Sequence, residues 1–208
     1  MTETAMARGL LAKVQEAAER FEKVTAELHD PAVGRITTMP RGTYEHAAAY
    51  VHGTAFYVAA LAAHGMGTRA AEAWHRAVPT NPLNPNSGCE PFGCTTYFTG
   101  PASPCFGRSD NSWFTGSTSW LFFQGLEGIL GVIPDRHGLK IDPAIPFLWK
   151  TYRVRRRFRG ATYDISVRNP EGVERGVKEI RLDGRIIEGQ VVPALTRGTH
   201  RVEVLLGR

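Results

Sequence analysis

The chain has 208 residues, of which 42% are hydrophobic and 22% are charged, a balance typical of a soluble globular protein with a buried core. No apolar run reaches the roughly 18 residues of a membrane-spanning helix, so we expect no membrane partner. The net charge of +5 is concentrated in residues 150–208, which hold 14 Lys and Arg against 7 Asp and Glu.

Helical periodicity dominates the first two thirds of the chain. Apolar residues recurring at three- and four-residue steps predict four helices, over residues 3–29, 45–64, 68–77 and 115–131. The second helix is expected to stop near Gly65, and the fourth is apolar nearly all round, so we expect it to be buried. The loop over 80–111 is long enough to be functional, and its aromatic residues indicate order.

After Pro134 the period changes to that of strands. Short strands are predicted over residues 139–141, 152–158, 161–168, 177–182, 185–187 and 202–206. Hairpin turns are expected between Arg157 and Gly160 and at Asp183-Gly184. Helices followed by strands indicate an α+β fold, with a helical segment over 1–133 and a β segment over 134–208.

The cysteines and the amino terminus favour a reducing compartment. Cys89, Cys94 and Cys105 are odd in number and lack the spacing of a zinc motif, so we expect no disulfide framework and no metal. The start Met1-Thr2-Glu3-Thr4 lacks the basic and apolar regions of a signal peptide. We therefore expect a cytoplasmic protein.

Five short segments occur in an order that identifies a family. They are Gly42-Thr-Tyr-Glu-His-Ala-Ala-Ala-Tyr-Val-His-Gly53, Glu90-Pro-Phe92, Asn111-Ser-Trp-Phe-Thr-Gly-Ser117, Gly131-Val-Ile-Pro-Asp135 and Arg156-Arg-Phe-Arg-Gly-Ala-Thr-Tyr163. Together they resemble glycoside hydrolase family 94, which includes cellobiose, cellobionic acid and chitobiose phosphorylases. The resemblance runs from about residue 30 to residue 169.

The resemblance implies both a fold and a reaction. The fold is the last helices of an (α/α)₆ barrel followed by a C-terminal β-sandwich, each in part. In the reaction, inorganic phosphate attacks the anomeric carbon of a β-linked disaccharide while an Asp protonates the leaving oxygen, so that an inverted sugar 1-phosphate forms. Phosphate is a co-substrate here, and no other cofactor is expected.

His52, Thr115 and Gly116 are the expected phosphate-binding residues. His52 matches the family's histidine in a Tyr-x-His pattern, whereas His46 fits only a looser alignment. Thr115 and Gly116 match the family's Thr-Gly pair, and a hydroxyl with unpaired backbone N–H groups ahead of a helix suits an anion. Without the resemblance, the alternative interpretation is that His52 is a surface or core histidine of the helix and that Thr115 is an ordinary helix cap.

Glu90, Glu45, Phe92 and Trp113 are the expected sugar-binding residues. Glu90 and Glu45 match family glutamates that can accept hydrogen bonds from sugar hydroxyls. Aromatic rings such as Phe92, Trp113 or Tyr97 could stack on a sugar face. The alternative is that Glu90 is a solvated loop residue beside structural aromatic residues. Cys89 and Cys94 are interpreted as packing residues.

The arginines at 153, 155 and 157 alternate and so share one face of a strand. A polyanion groove is one interpretation. An exposed face paired with nearby acids is favoured, and no zinc pattern or RNA-recognition signature is present, so we expect no nucleic-acid partner.

The family's catalytic Asp has no match in this sequence, because it precedes the region that corresponds to residue 30. The chain therefore reads as a truncated gene product, an excised piece or half of a split enzyme, with no catalytic residue of its own. Alone it is expected to be inactive, to expose an apolar patch, and to form a homo-oligomer or pair with a complementing N-terminal segment. The alternative is a non-catalytic carbohydrate-binding or structural module.

Overall fold

The computed structural model describes residues 34–207. The predicted helix over 3–29 lies outside these residues. The described chain is a mixture of helices and sheets, which confirms the α+β class. It groups into two compact units, which we call the loop unit (residues 34–51 and 79–117) and the sheet unit (residues 52–78 and 118–207). The predicted domain boundary at 133/134 stays a prediction.

Three short antiparallel strands organise the loop unit. A 3₁₀ helix at Arg35–Thr38 precedes β1 (Ala49–Tyr50), β2 (Tyr97–Phe98) and β3 (Ser109–Asp110), which pair in the order β1-β2-β3. The buried Thr95 and Thr96 hydroxyls donate to backbone carbonyls of residues 110 and 111. The long loop is thus ordered by hydrogen bonds, as expected, although Phe92 is 70% exposed.

Two of the predicted helices differ from the expectation: one begins later in the chain, and the other continues as a π-helix. Helix α1 is Val51–Ala63, so the prediction of helix from residue 45 is wrong. Positive φ at Tyr44 and Ala47 excludes a continuous helix there. Helix α2 (Gly67–Ala77) is confirmed, and helix α3 (Ser117–Phe123) continues as a π-helix, Gln124–Ile129.

Eight strands complete the sheet unit. They are β4 (Val132–Pro134), β5 (Gly138–Ile141), β6 (Thr151–Phe158), β7 (Ala161–Arg168), β8 (Val177–Leu182), β9 (Arg185–Ile186), β10 (Val191–Pro193) and β11 (Thr199–Leu206). One sheet has the order β10-β5-β4 and the other β6-β7-β11-β8-β9, with only β7 and β11 parallel among the pairs described. Both predicted hairpin turns are confirmed. Their central residues Arg159-Gly160 and Asp183-Gly184 all have positive φ, as two-residue hairpins require.

One apolar core joins the helices and both sheets of the sheet unit. It contains Val58 of α1, Ala70 of α2, Ile141 of β5, and the inward residues Ile165 and Val202 of the larger sheet, all less than 2% exposed. Alternation of buried and exposed residues along β7 and β11 gives that sheet one apolar and one solvent-facing side. None of the helices in residues 34–207 has the length and hydropathy that crossing a membrane takes.

A charged clasp fixes the helix ends to this core. The Arg175 guanidinium donates to both carboxylate oxygens of Asp142, at 3.1 and 2.8 Å, and to the Ala63 carbonyl at the end of α1. The neighbouring Glu174 carboxylate accepts the Thr68 backbone N–H in the first turn of α2. The hydrogen bonds from Arg175, followed by those from Lys140, hold the pKa of Asp142 below its usual range although burial opposes them.

We expect Arg175→Ala to lower the free energy of unfolding by about 1–3 kcal/mol, because it leaves the Asp142 carboxylate and the Ala63 carbonyl without this donor. Urea denaturation measures the loss. The control is Arg185→Ala, which removes the same charge from an exposed residue of β9 and should change stability by no more than about 0.5 kcal/mol. Equal losses in the two variants would contradict the role of the clasp.

His200 provides a pH-dependent contact at the start of β11. Its Nδ1 lies 2.7 Å from Asp183 Oδ2 and its Nε2 lies 2.9 Å from the Arg197 carbonyl oxygen. Both partners accept hydrogen bonds, so the imidazolium form of the ring, in which both nitrogens donate, satisfies both contacts. The Asp183 hydrogen bond, followed by that to Arg197, raises the pKa of His200 above 6.5.

Because the folded-state pKa of His200 is raised, its contribution to stability is complete below 6.5 and is lost as pH rises through the raised value. The melting temperature of wild type should therefore exceed that of His200→Gln, and this difference should be larger at about pH 6 than at about pH 9. The control is His137→Gln at an exposed position, a surface substitution that should change stability by no more than about 0.5 kcal/mol at either pH. If the difference in melting temperature between wild type and His200→Gln were the same at both pH values, the ring would be neutral in the folded protein.

Candidate active site

Glu45 lies in the turn that precedes β1. Arg35 donates to both of its carboxylate oxygens at 3.3 and 3.2 Å, and half of the Glu45 side chain stays exposed. A hydrogen bond from its own backbone N–H, with a smaller contribution from Arg35, lowers the pKa of Glu45. The carboxylate is therefore ionised at neutral pH and open to hydroxyl donors.

Three tyrosine rings pack together near Glu45 in the loop unit. Tyr97 stacks on Tyr50 with ring centroids 5.1 Å apart and meets Tyr44 edge-on at 5.6 Å. Burial, then the nearby charge of Glu45, raises the pKa of Tyr97, so its hydroxyl stays protonated. Tyr44 and Tyr50 were not among the predicted site residues, although their spacing on either side of Glu45 was visible in the sequence.

His46 is a structural residue. It is 3% exposed, and its Nδ1 donates to the Met39 carbonyl at 3.1 Å. Its backbone also bridges Thr43, closing the turn. These contacts agree with the preference for His52 over His46 as a candidate ligand.

His52 lies in the first turn of α1. Its ring stacks on Phe56 with centroids 5.4 Å apart and an angle of 16°, and it lies 6.0 Å from the Trp120 ring. Phe56 and Trp120 are themselves 5.0 Å apart. Aromatic packing thus fixes the orientation of the imidazole, whose Nε2 is buried although the residue as a whole is partly exposed.

The expectation that the fourth helix is buried is wrong for three of its aromatic residues. Trp120, Phe122 and Phe123 are 41%, 62% and 46% exposed. On α1, Phe56 and Tyr57 are exposed to a similar degree. We call these five residues the aromatic surface, and it confirms the expected exposed apolar patch.

Trp74 holds the point where α3 becomes a π-helix. Its indole N–H donates to the Leu121 carbonyl at 2.7 Å, which lies where the backbone hydrogen-bond spacing changes. The Tyr152 hydroxyl donates to the Leu130 carbonyl just beyond the π-helix. Residues 121–130 are therefore held at both ends by side-chain hydrogen bonds. Short π-helical segments frequently occur at functional sites.

Phe92 and Trp113 come together in the loop unit. Their ring centroids are 6.2 Å apart, and both rings are more than half exposed. Gly93 permits this approach, because a Cβ there would lie 2.6 Å from the Trp113 ring. Glu90 is exposed beside them and accepts the Gly93 N–H through its backbone carbonyl.

Thr115 and Gly116 directly precede α3. The Thr115 hydroxyl accepts the Ser117 backbone N–H at 3.3 Å and lies 2.6 Å from the Ser117 hydroxyl. Gly116 is exposed. Both residues belong to the loop unit and His52 to the sheet unit, so their convergence on one anion stays a prediction.

Metal chemistry has no visible support in the part of the chain that the structure describes. No group of three or more His, Cys, Asp or Glu side chains in residues 34–207 has the arrangement of a metal site. Burial, the first of several causes, raises the pKa of the Cys89 thiol, whose Sγ donates to the Gly93 carbonyl. The Cys89 thiol is therefore a packing group.

Comparison with known families places the site in context. Residues 21–131 match the model described as the glycosyl hydrolase 94 superfamily, catalytic domain. This range contains every predicted phosphate- and sugar-binding residue.

Several characterised phosphorylases are similar over most of the chain. Solabiose phosphorylase of Paenibacillus borealis is 34% identical over 179 residues, and a 3-O-beta-D-glucopyranosyl-beta-D-glucuronide phosphorylase of the same organism is 37% identical over 180, each match covering 85% of this chain. The N,N'-diacetylchitobiose phosphorylase of Vibrio proteolyticus is 34% identical over 180 residues, or 84% of this chain. The chain spans less than a quarter of these relatives' length, 23%, 23% and 22% respectively.

Proposed function

We propose, because this chain belongs to the glycosyl hydrolase 94 superfamily, that it forms the C-terminal part of an inverting glycoside phosphorylase. The observation that carries the proposal is its similarity, over 85% of its length, to enzymes named as disaccharide phosphorylases. The substrates are inorganic phosphate and a β-linked disaccharide, and the compartment is the cytoplasm.

The reaction exchanges one bond at the anomeric carbon. A phosphate oxygen attacks that carbon from the face opposite the leaving group, the glycosidic C–O bond breaks, and a carboxylic acid gives its proton to the departing oxygen. Phosphate is already an anion, so no second carboxylate is needed to activate a nucleophile. The site instead needs donors that hold and orient the anion.

His52, Thr115 and Gly116 are the donors we assign to phosphate. The stacking of His52 on Phe56 fixes the plane of the imidazole. The Thr115 hydroxyl can rotate its proton towards a ligand while its oxygen accepts from the Ser117 backbone. The exposed Gly116 offers its backbone without a side chain in the way.

Glu90, Glu45, Phe92 and Trp113 are the groups we assign to the sugar. The exposed, ionised Glu45 can accept hydrogen bonds from hydroxyl groups. The adjacent rings of Phe92 and Trp113 offer apolar faces on which a pyranose can stack. Glu90 lies next to those rings in sequence and is exposed.

The general acid is assigned to a segment outside this sequence. The matched region spans less than a quarter of the length of the related enzymes, which leaves most of a full-length enzyme to provide the acid. Positioned proton transfer contributes about 10²–10⁴-fold to such reactions. The isolated chain should therefore bind substrates without appreciable turnover.

The aromatic surface supports a complementing partner. Helices α1 to α3 are assigned to the last part of an (α/α)₆ barrel, and the strands after residue 131 to a β-sandwich. Exposed apolar surfaces of this kind are usually covered by another segment or subunit. We assign Phe56, Tyr57, Trp120, Phe122 and Phe123 to contacts with a complementing N-terminal segment, and in its absence to homo-oligomer contacts.

We expect His52→Phe and Thr115→Val each to weaken phosphate binding by about tenfold or more, since a hydrogen bond to a charged group contributes about 1.5–3 kcal/mol. Both substitutions keep the shape of the side chain, and phenylalanine retains the stacking on Phe56. Isothermal titration calorimetry with inorganic phosphate measures the affinities.

The control for these variants is His75→Phe, at an exposed position of α2, which should bind phosphate like wild type. Melting curves check that all variants fold. Equal phosphate affinities in the four proteins would remove the assignment of the phosphate site.

A further inference from the structure

The solvent-facing side of the larger sheet carries an unusual concentration of arginine. Strand register places Arg153, Arg155 and Arg157 of β6 opposite Ser166, Asp164 and Thr162 of β7. The same rows continue across β11 and β8. The face they form presents six arginines, namely Arg153, Arg155, Arg157, Arg168, Arg181 and Arg201, against three carboxylates, Asp164, Glu179 and Glu203.

A groove of about 720 Å³ runs over this face, a volume in the range of ligand sites. Its lining includes Arg153, Arg155 and Arg201 together with the hydroxyl-bearing Ser166 and Thr199. Asp183 and the hydrogen-bonded His200 also line it. All of these residues belong to the sheet unit.

The acids of this face do not neutralise all of its arginines. Asp164 binds Arg155 through two hydrogen bonds of 2.6 and 3.1 Å, and Glu203 pairs with Arg201 at 2.8 Å. Among the described residues, Arg153 and Arg157 form no ion pair. The favoured expectation, an exposed face paired with nearby acids, is thus correct for Arg155 and does not extend to Arg153 and Arg157.

Protection of an edge strand explains only part of the pattern. Strand β6 is an edge of the sheet, and charged residues there discourage pairing with other chains. Arg168 and Arg201, however, lie on β7 and β11 inside the sheet. Their presence on the same face needs a different reason.

The residue types on this face of the sheet indicate which class of anionic ligand it can bind. None of the register-matched outward positions on β6, β7, β11 and β8 is aromatic, whereas single-stranded nucleic acid is held largely by base stacking on aromatic rings. The carboxylates between the arginines can accept hydrogen bonds from hydroxyl groups, which favours an anion that also carries many hydroxyls. Arginines recur along β6 about every 7 Å, which suits a chain with regularly repeated anionic groups.

We infer that this groove binds an acidic polysaccharide, a chain that carries both carboxylates and hydroxyls. Arg153, which forms no ion pair within residues 34–207, binds one carboxylate, and Arg201 binds another through guanidinium donors that its hydrogen bond to Glu203 does not use. Asp164, Ser166 and Thr199 contact the hydroxyls. The inference is independent of the proposed phosphorylase site, which uses other residues.

The test is binding of an oligogalacturonate to the 208-residue chain, measured by calorimetry at low and at physiological salt. Binding should weaken as salt screens the charges. Arg153→Gln combined with Arg201→Gln should lower the affinity about tenfold. The matched control, Arg136→Gln combined with Arg185→Gln, removes two charges from exposed positions outside the groove lining and should change it less than about twofold.

Three outcomes would overturn the inference. Equal losses in the two double variants would assign binding to net charge rather than to the groove. Equal affinity for a neutral oligosaccharide of the same length would remove the role of the carboxylates. Tighter binding of a single-stranded oligonucleotide of the same charge would make the face a nucleic-acid surface. Melting curves establish that both double variants are folded.

Discussion

The sheet unit depends on a clasp in which two neighbouring residues of one loop hold the ends of two helices. Arg175 joins the last turn of α1 to Asp142, while Glu174 caps the first turn of α2. Free carbonyl and N–H groups at helix ends must find partners, and here the loop before β8 provides them. Because α1 carries His52, Phe56 and Tyr57, the clasp also sets where the candidate ligand and much of the aromatic surface lie on the sheet unit.

Most of the fold was predictable because its signals are local. Alternating apolar residues located β6 and β7 almost to the residue, and Asp183-Gly184 identified a hairpin through its backbone preference alone. Gly65, with positive φ, ends α1 as expected. The failures are non-local: helix was predicted from residue 45, but residues 44–47 form turns that include positive φ angles, and residues 49–50 pair with β2, nearly fifty residues away. Likewise, the burial of the fourth helix was inferred from its composition, while Phe122 and Phe123 face outward.

The candidate site was predictable mainly through resemblance to a family. Ordered motifs pointed to His52, Glu90 and Thr115, and residues 21–131 indeed match the family. Neither periodicity nor composition could reveal that Tyr44 and Tyr50 pack on Tyr97, because residues 44–50 and 97 are distant in sequence. Nor could they show that the imidazole of His52 is oriented by Phe56 and Trp120. Such contacts arise from tertiary structure, which periodicity and composition do not encode.

The central claim is that a histidine on α1 and the residues preceding α3 hold one phosphate. The most direct measurement is a crystal structure of the chain grown with inorganic phosphate. The account predicts a phosphate with oxygens about 2.7–3.2 Å from a ring nitrogen of His52 and from the Thr115 hydroxyl or the Gly116 backbone N–H. A structure in which phosphate contacts neither His52 nor residues 115–116, or in which they lie too far apart to share one anion, would contradict it.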